Sequence, residues 1–355
     1  MLCMLVWLGG CATEKQVLRF DPVRAATAKR IYFPPMSDEQ VPRYVYVGEL
    51  IGEQNFVDPE PQKKNPLIEA LKWIAGLLDL QNPNVLQRPQ SGTVDENGRI
   101  LVTDVSRGAV YVFDQINGRL DVWEYADGLR RFSAPTGIAL GPAGRVFVAD
   151  ADQRKVVVLD SEGRGQQLIG KEWLERPTGL AWDANTALLY VADTQAHQIK
   201  VFDVTGRLVR TIGQRGEAPG EFNFPTYLAL SKGKLIVADT MNARIQMITL
   251  DDSAAPIVFG ERGIQVGHFA RPKGVAVDAE SNIYVIESYY DHLLIFDSQA
   301  RFLLPIGGAG KEAGSFYLPS GVWVDKENRV FVADTFNGRI AVFQFLGGGA
   351  ENGGE

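Results

Sequence analysis

The chain has 355 residues, is 45% hydrophobic and 22% charged, and carries a net charge of −7. These values belong to a folded globular protein. They exclude a largely disordered chain and leave no whole-chain basic footprint for nucleic acid. No apolar run reaches the ~18 residues of a membrane-spanning helix. The two cysteines are Cys3 and Cys11, so residues 12–355 hold no disulfide and no thiolate metal site.

Residues 1–10 read Met-Leu-Cys-Met-Leu-Val-Trp-Leu-Gly-Gly, a short apolar stretch ending in small residues, as in a secretory leader. Leu8-Gly9-Gly10-Cys11 resembles a bacterial lipobox. That resemblance implies a signal peptide over 1–11 and a lipidated Cys11 whose acyl chains hold the protein on a membrane. Ala12, where an Asp would retain such a protein at the inner membrane, implies the outer membrane and the periplasm. Residues 12–40 then form a tether and an extended segment. Residues 41–52, with Tyr44-Val45-Tyr46-Val47, have strand composition.

Residues 53–88 are an insert that carries one predicted helix over 66–80. Asn65-Pro66 supplies a cap and a first-turn proline. Leu67, Ile68, Leu71, Ile74, Leu77 and Leu78 form an apolar stripe. Asn82-Pro83 stops it. The helix is expected either to pack beneath the globular part as a lid or to dock on a partner or membrane surface.

One motif then occurs six times. Asp104, Asp150, Asp193, Asp239, Glu287 and Asp334 each end an apolar run, at spacings of 46, 43, 46, 48 and 47 residues. A proline stands upstream of each: Pro89, Pro135, Pro177, Pro225, Pro272 and Pro319. The second unit divides into four short apolar segments: 137–140, 145–149, 155–159 and 166–169. Four strands per ~45-residue repeat make a propeller blade. Near-continuous runs such as Val156-Val157-Val158-Leu159 fit strands covered on both faces.

Asp239-Thr240-Met241-Asn242-Ala243-Arg244-Ile245 and Asp334-Thr335-Phe336-Asn337-Gly338-Arg339-Ile340, with Pro-x-Gly as the repeat's opening signal, resemble the NHL repeat. The resemblance covers 89–345 and implies an all-β, six-bladed β-propeller of four-stranded blades. The sixth repeat stops after its third strand, at 339–345, and a Gly-rich tail occupies 346–355. The 41–52 strand is therefore expected to complete the last blade and latch the ring. The order of extended segment, latch, helix and propeller is similar to bacterial NHL-repeat lipoproteins.

In such a ring the loop leading into the first strand and the loop between the second and third strands share one face, the mouth. Blade 5 is the densest there. Lys273 stands where other blades have Thr, Ser or Gln, and Glu287 replaces Asp. Tyr289, Tyr290, Asp291 and His292 come next. Tyrosine pairs contact area with a polar tip, so this cluster, with His197 and Arg154 on neighbouring loops, is the predicted ligand- or partner-binding site. Arg244 and Arg339 are expected near the acidic residues of their blades.

One NHL-type enzyme, a zinc lyase, presents three histidines from alternate blades. Here His197 and His292 fall in corresponding loops of blades three and five, but blade one offers Arg107-Gly108-Ala109, and His268 belongs to a connecting turn. A catalytic zinc usually takes three protein ligands, and the first strands lack the acidic residues a calcium lactonase needs. The expectation is a non-catalytic, lipid-anchored scaffold at the bacterial cell envelope that binds a protein or small ligand, with no metal, cofactor or nucleic acid. The alternative is a metal-dependent envelope lyase or lactonase using His197, His292 and Glu287.

Overall fold

A computed structural model describes residues 15–21, 30–37, 40–59, 84–251 and 253–347. The lipobox with Cys11, the helix over 66–80 and tail residues 348–355 lie outside the described residues.

Continuous apolar runs need cover on both faces, and a ring of sheets supplies it. Val146–Asp150 and Lys155–Leu159 are buried at every residue. They are the middle strands of blade 2, which Pro135–Leu140 and Gly165–Ile169 complete in the order expected of an antiparallel meander. Blades 1, 3, 4 and 5 repeat this order with first strands Pro89–Val94, Pro177–Asp183, Pro225–Ser231 and Pro272–Val277. Six apolar clusters form, one at each boundary between adjacent blades. Phe222, Phe269 and Phe316, the aromatics of the connecting turns, are wholly buried at three of those boundaries.

The fold is therefore an all-β, six-bladed propeller, and its ring closes as the sequence predicts. Tyr44–Leu50 pairs antiparallel with Arg339–Phe345, from Tyr44 opposite Phe345 to Leu50 opposite Ile340. The latch buries Tyr44, Tyr46 and Leu50 on one side of the strand. Glu49 meets the Arg339 guanidinium at 2.7 Å. Tyr44 reaches blade 5, where its hydroxyl lies 3.1 Å from that of Tyr284, which donates to Asp278 at 2.8 Å. The extended segment expected before the latch contributes a fifth strand, Tyr32–Phe33, outside it, and Val17–Leu18 pairs with Phe56–Val57, a pairing the sequence does not predict.

The first strands place the mouth residues. Where they meet the second strands, the register slips: Pro135 faces Asp150 and Ile138 faces Val148, so Thr136 and Gly137 together oppose Ala149. Blades 3, 4 and 5 have the same bulge. A bulge re-aims one side chain out of the ladder, and here that is the residue after the proline. The glycine beside it is obligatory. A Cβ on Gly137 would sit 2.0 Å from the Thr178 carbonyl oxygen, so only glycine lets adjacent blades approach this closely.

Deleting residues 41–52 removes three core side chains, uncovers the residues they pack on and opens a sheet edge. At ~1.5–3 kcal/mol per buried large side chain, it is expected to cost about 5 kcal/mol or more. Deleting 348–355 is expected to leave chemical denaturation unchanged. Equal stability of the two truncations would contradict the latch.

Candidate functional site

The acidic residue that ends each second strand is at most 1% exposed in all six blades. Buried carboxylates need donors, and these take theirs largely from backbone. Asp104 accepts from the amides of Gln87 and Arg88 at 2.6 and 2.9 Å, and from Ser106 and Arg107 at 3.0 Å each. Asp150 accepts from Ser133 and Ala134, Asp193 from Glu175 and Arg176, Asp239 from Asn223, and Asp334 from Tyr317. Each therefore binds the segment arriving at its own blade's first strand. Arg244 and Arg339 lie against Asp239 and Asp334 at 2.7 and 2.8 Å, as expected.

Glu287 has the same role in blade 5. Its carboxylate accepts from the amides of Ala270 and Arg271 at 2.8 and 2.9 Å and from Tyr289 at 3.0 Å. Burial raises its pKa above the ordinary carboxylate value against the lowering effect of those amides.

Four residues after each acidic group the backbone turns left-handed, at Gly108, Arg154, His197, Ala243, Asp291 and Gly338. This fixes the true register of the second-to-third-strand loops. His197 corresponds to Asp291, not to His292, which opens the third strand His292–Phe296. The two histidines have separate tasks. His197 is buried, accepts the Phe224 amide on Nδ1 at 3.2 Å and packs edge-on to the Phe224 ring at 4.3 Å. His292, its pKa lowered by burial, lines a cavity of about 100 Å³ with His268, Glu287 and Tyr290. The sequence sets His268 apart as a turn residue; the structure brings it to His292. Among the described residues no group of three His, Cys, Asp or Glu is placed to hold a metal ion.

The remaining predicted residues divide by exposure. Asp291 is buried and accepts the Leu318 amide at 2.6 Å. Arg154 is exposed on its loop. Tyr289 is 59% exposed and packs edge-on to Tyr290, with ring centroids 5.1 Å apart. Lys273 is half-buried beside the axis, and burial lowers its pKa.

Two mouth features lie beyond the sequence expectation. Two residues after the acidic group, blades 1–3 carry Ser106, Asp152 and Gln195, whereas blades 4–6 carry exposed Met241, Tyr289 and Phe336. Tyr317 packs against Phe336 at 5.7 Å, and the Arg88 guanidinium lies 4.8 Å over the Phe336 ring. Half of the mouth is thus aromatic and apolar, a division visible in the sequence once the repeats are in register.

The second feature is Tyr227, which stands where blades 2, 3, 5 and 6 have the glycine of Pro-x-Gly. Its hydroxyl crosses the axis from blade 4 to donate to the Gln90 carbonyl of blade 1 at 2.9 Å. Beneath it an axial cavity of about 300 Å³ is walled by first strands, with Ile138, Leu180, Leu228, Val275 and Trp323 among its apolar lining. Tyr227 itself lines that cavity and spans the axis on its mouth side.

Such a ring, with one buried acidic clasp per blade, is a six-bladed propeller, and similarity to known proteins agrees. A family model described as DUF5128, 6-bladed beta-propeller, matches residues 182–253 and 274–350. NHL repeat-containing protein 2 of Gallus gallus is 30% identical over 154 residues, which is 34% of this chain and 21% of that protein. The chain thus spans about a fifth of that curated relative. Among solved structures, a protein of unknown function from Bacteroides thetaiotaomicron is similar at TM-score 0.60 and 16% identity, covering 75% of this chain and 71% of that one. A gluconolactonase of Xanthomonas campestris is similar at TM-score 0.57 and 15% identity, covering 74% and 89%. At these identities the likeness is one of fold. The chain is a six-bladed β-propeller whose repeats are similar to those of NHL-repeat proteins.

Glu287 tests the clasp. Because its folded pKa is raised, the stability it gives by protonating is present below its ordinary value and is lost as pH rises through the raised one. Glu287→Gln cannot titrate. The stability of the natural chain relative to this variant is expected to be greater at about pH 4 than at about pH 7.5 in urea unfolding. A difference independent of pH would contradict this.

Proposed function

We propose that the protein is a non-catalytic binding module whose mouth, over blades 4–6, holds a protein partner or ligand. The observation that carries this reading is the division of labour at the mouth. The buried carboxylates and His197 are committed to backbone amides, while Met241, Tyr289, Tyr317 and Phe336 stand exposed in one arc. Aromatic side chains in such an arc are the usual anchors of an interface. Fold alone names no function, and the lactonase-like alternative receives no support from the apolar axial walls, which offer a calcium ion no carboxylate.

On this reading the protein sits at the bacterial cell envelope, where a lipid anchor on Cys11 holds the propeller near the membrane; Val17–Leu18 and Tyr32–Phe33 pair with other strands of the fold, so the segment expected as a tether is in part docked on the propeller. The lipobox resemblance of Leu8-Gly9-Gly10-Cys11 supports that location.

The test is a pull-down from membranes with the acylated chain as bait, beside a Lys273/Tyr289/Tyr290 triple alanine variant and Cys11→Ser. A defined envelope partner is expected with the natural chain and is expected to be lost with the triple variant. Cys11→Ser is expected in the soluble fraction. Turnover of a lactone or ester by the purified chain, with stoichiometric bound metal and no partner, would overturn the proposal.

A further inference from the structure

Blade 5 departs from a hydroxyl pattern that blades 3, 4 and 6 use to join the ring. In blades 3, 4 and 6 the residue after the proline and the residue after the acidic group are both hydroxyls. Thr178 and Thr194 are 2.7 Å apart, and Thr226 and Thr240, like Ser320 and Thr335, are 2.8 Å apart. These groups also donate to the next blade. Thr178 reaches the Thr226 carbonyl at 2.7 Å, Thr194 the Pro225 carbonyl at 2.7 Å, and Thr226 the Lys273 carbonyl at 3.2 Å. Ser320 reaches Gln90 at 2.9 Å and Thr335 reaches Pro89 at 2.8 Å. Their donor capacity is used within the ring.

In blade 5 the two places hold Lys273 and Ser288. Neither side chain makes a hydrogen bond or ion pair among the described residues. Ser288 is buried and Lys273 half-buried. No carboxylate acts on the ammonium; the one charged neighbour that does is Arg271, which repels it. A half-buried cation without a counter-charge has lost part of its hydration, and an anion beside it offsets that cost. Tyr227 spans the axis from blade 4 to blade 1 nearby.

One ammonium and one hydroxyl suit a monoanion with two acceptor oxygens. A phosphate dianion would call for more positive charge than the pair supplies. Exposed Tyr289 and Tyr317 stand on the mouth loops of blades 5 and 6, as a polypeptide neighbour requires. We infer that Lys273 and Ser288 form a carboxylate site at the mouth, filled by an Asp or Glu side chain of a partner polypeptide. This rests on the reading of the mouth as a binding surface and names the chemistry it selects.

The test is NMR of the full chain with ¹³C-methylated lysines. The Lys273 resonance is assigned as the one missing from Lys273→Met, and a matching melting temperature checks that this variant is folded. The probes are glutamate capped at both ends, its glutamine counterpart, and inorganic phosphate. The Lys273 resonance is expected to shift with capped glutamate and not with capped glutamine. Capped-glutamate binding is expected to weaken about tenfold or more in Lys273→Met, and by less in Ser288→Ala. No shift with capped glutamate, or an equal response to phosphate, overturns the site.

The pull-down separates the carboxylate site from the wider binding surface. If Lys273→Met keeps a partner that Tyr289→Ala loses, the carboxylate site falls and the binding surface stands. If neither variant loses the partner, both fall.

Discussion

One buried carboxylate at the end of each second strand organises the mouth of this propeller. It cannot stay inside without donors. The nearest free ones are amides of the segment arriving at the same blade's first strand, as with Asp104 and the amides of Gln87 and Arg88. Asp104 also holds the amides of the following turn, so one side chain fixes both mouth loops of its blade. The hold on the arriving segment recurs in all six blades and gives a rigid face on which neighbouring positions are free to vary.

The variation is uneven. Blades 1–3 present Ser106, Asp152 and Gln195 where blades 4–6 present Met241, Tyr289 and Phe336. At the axis, Tyr227 replaces a glycine whose place in other blades is dictated by close backbone approach. Its hydroxyl joins opposite blades across the axis. The identical clasps hold the scaffold, and the departures from the repeat give it one face with a direction.

Most of the fold is legible in the sequence. Repeat spacing, the Pro-x-Gly signal and the truncated sixth repeat together specify six blades and the latch, and the third strands at 155–159 and 339–345 have the bounds the sequence suggests. The pairing of the fifth strand, Tyr32–Phe33, carries no such signal, because a two-residue strand has no period to read. The site is legible by composition but not by role. In sequence Glu287 and Asp291 look like free acidic groups, and whether a carboxylate meets solvent or backbone depends on a register fixed by a left-handed turn. The same turn separates His197 from His292, which residue spacing alone puts together. Tyr227 is visible in the sequence as the aromatic in a Pro-x-Gly position.

If the aromatic half of the mouth is where this protein meets its partner, contact there is observable in living cells. Site-specific photo-crosslinking would place a photoreactive phenylalanine analogue in turn at Phe336, at Met241 and, on the opposite face, at Ile116. One crosslinked species shared by Phe336 and Met241, and none from Ile116, is the expected result. Crosslinks from Ile116 alone would refute the binding role of the mouth.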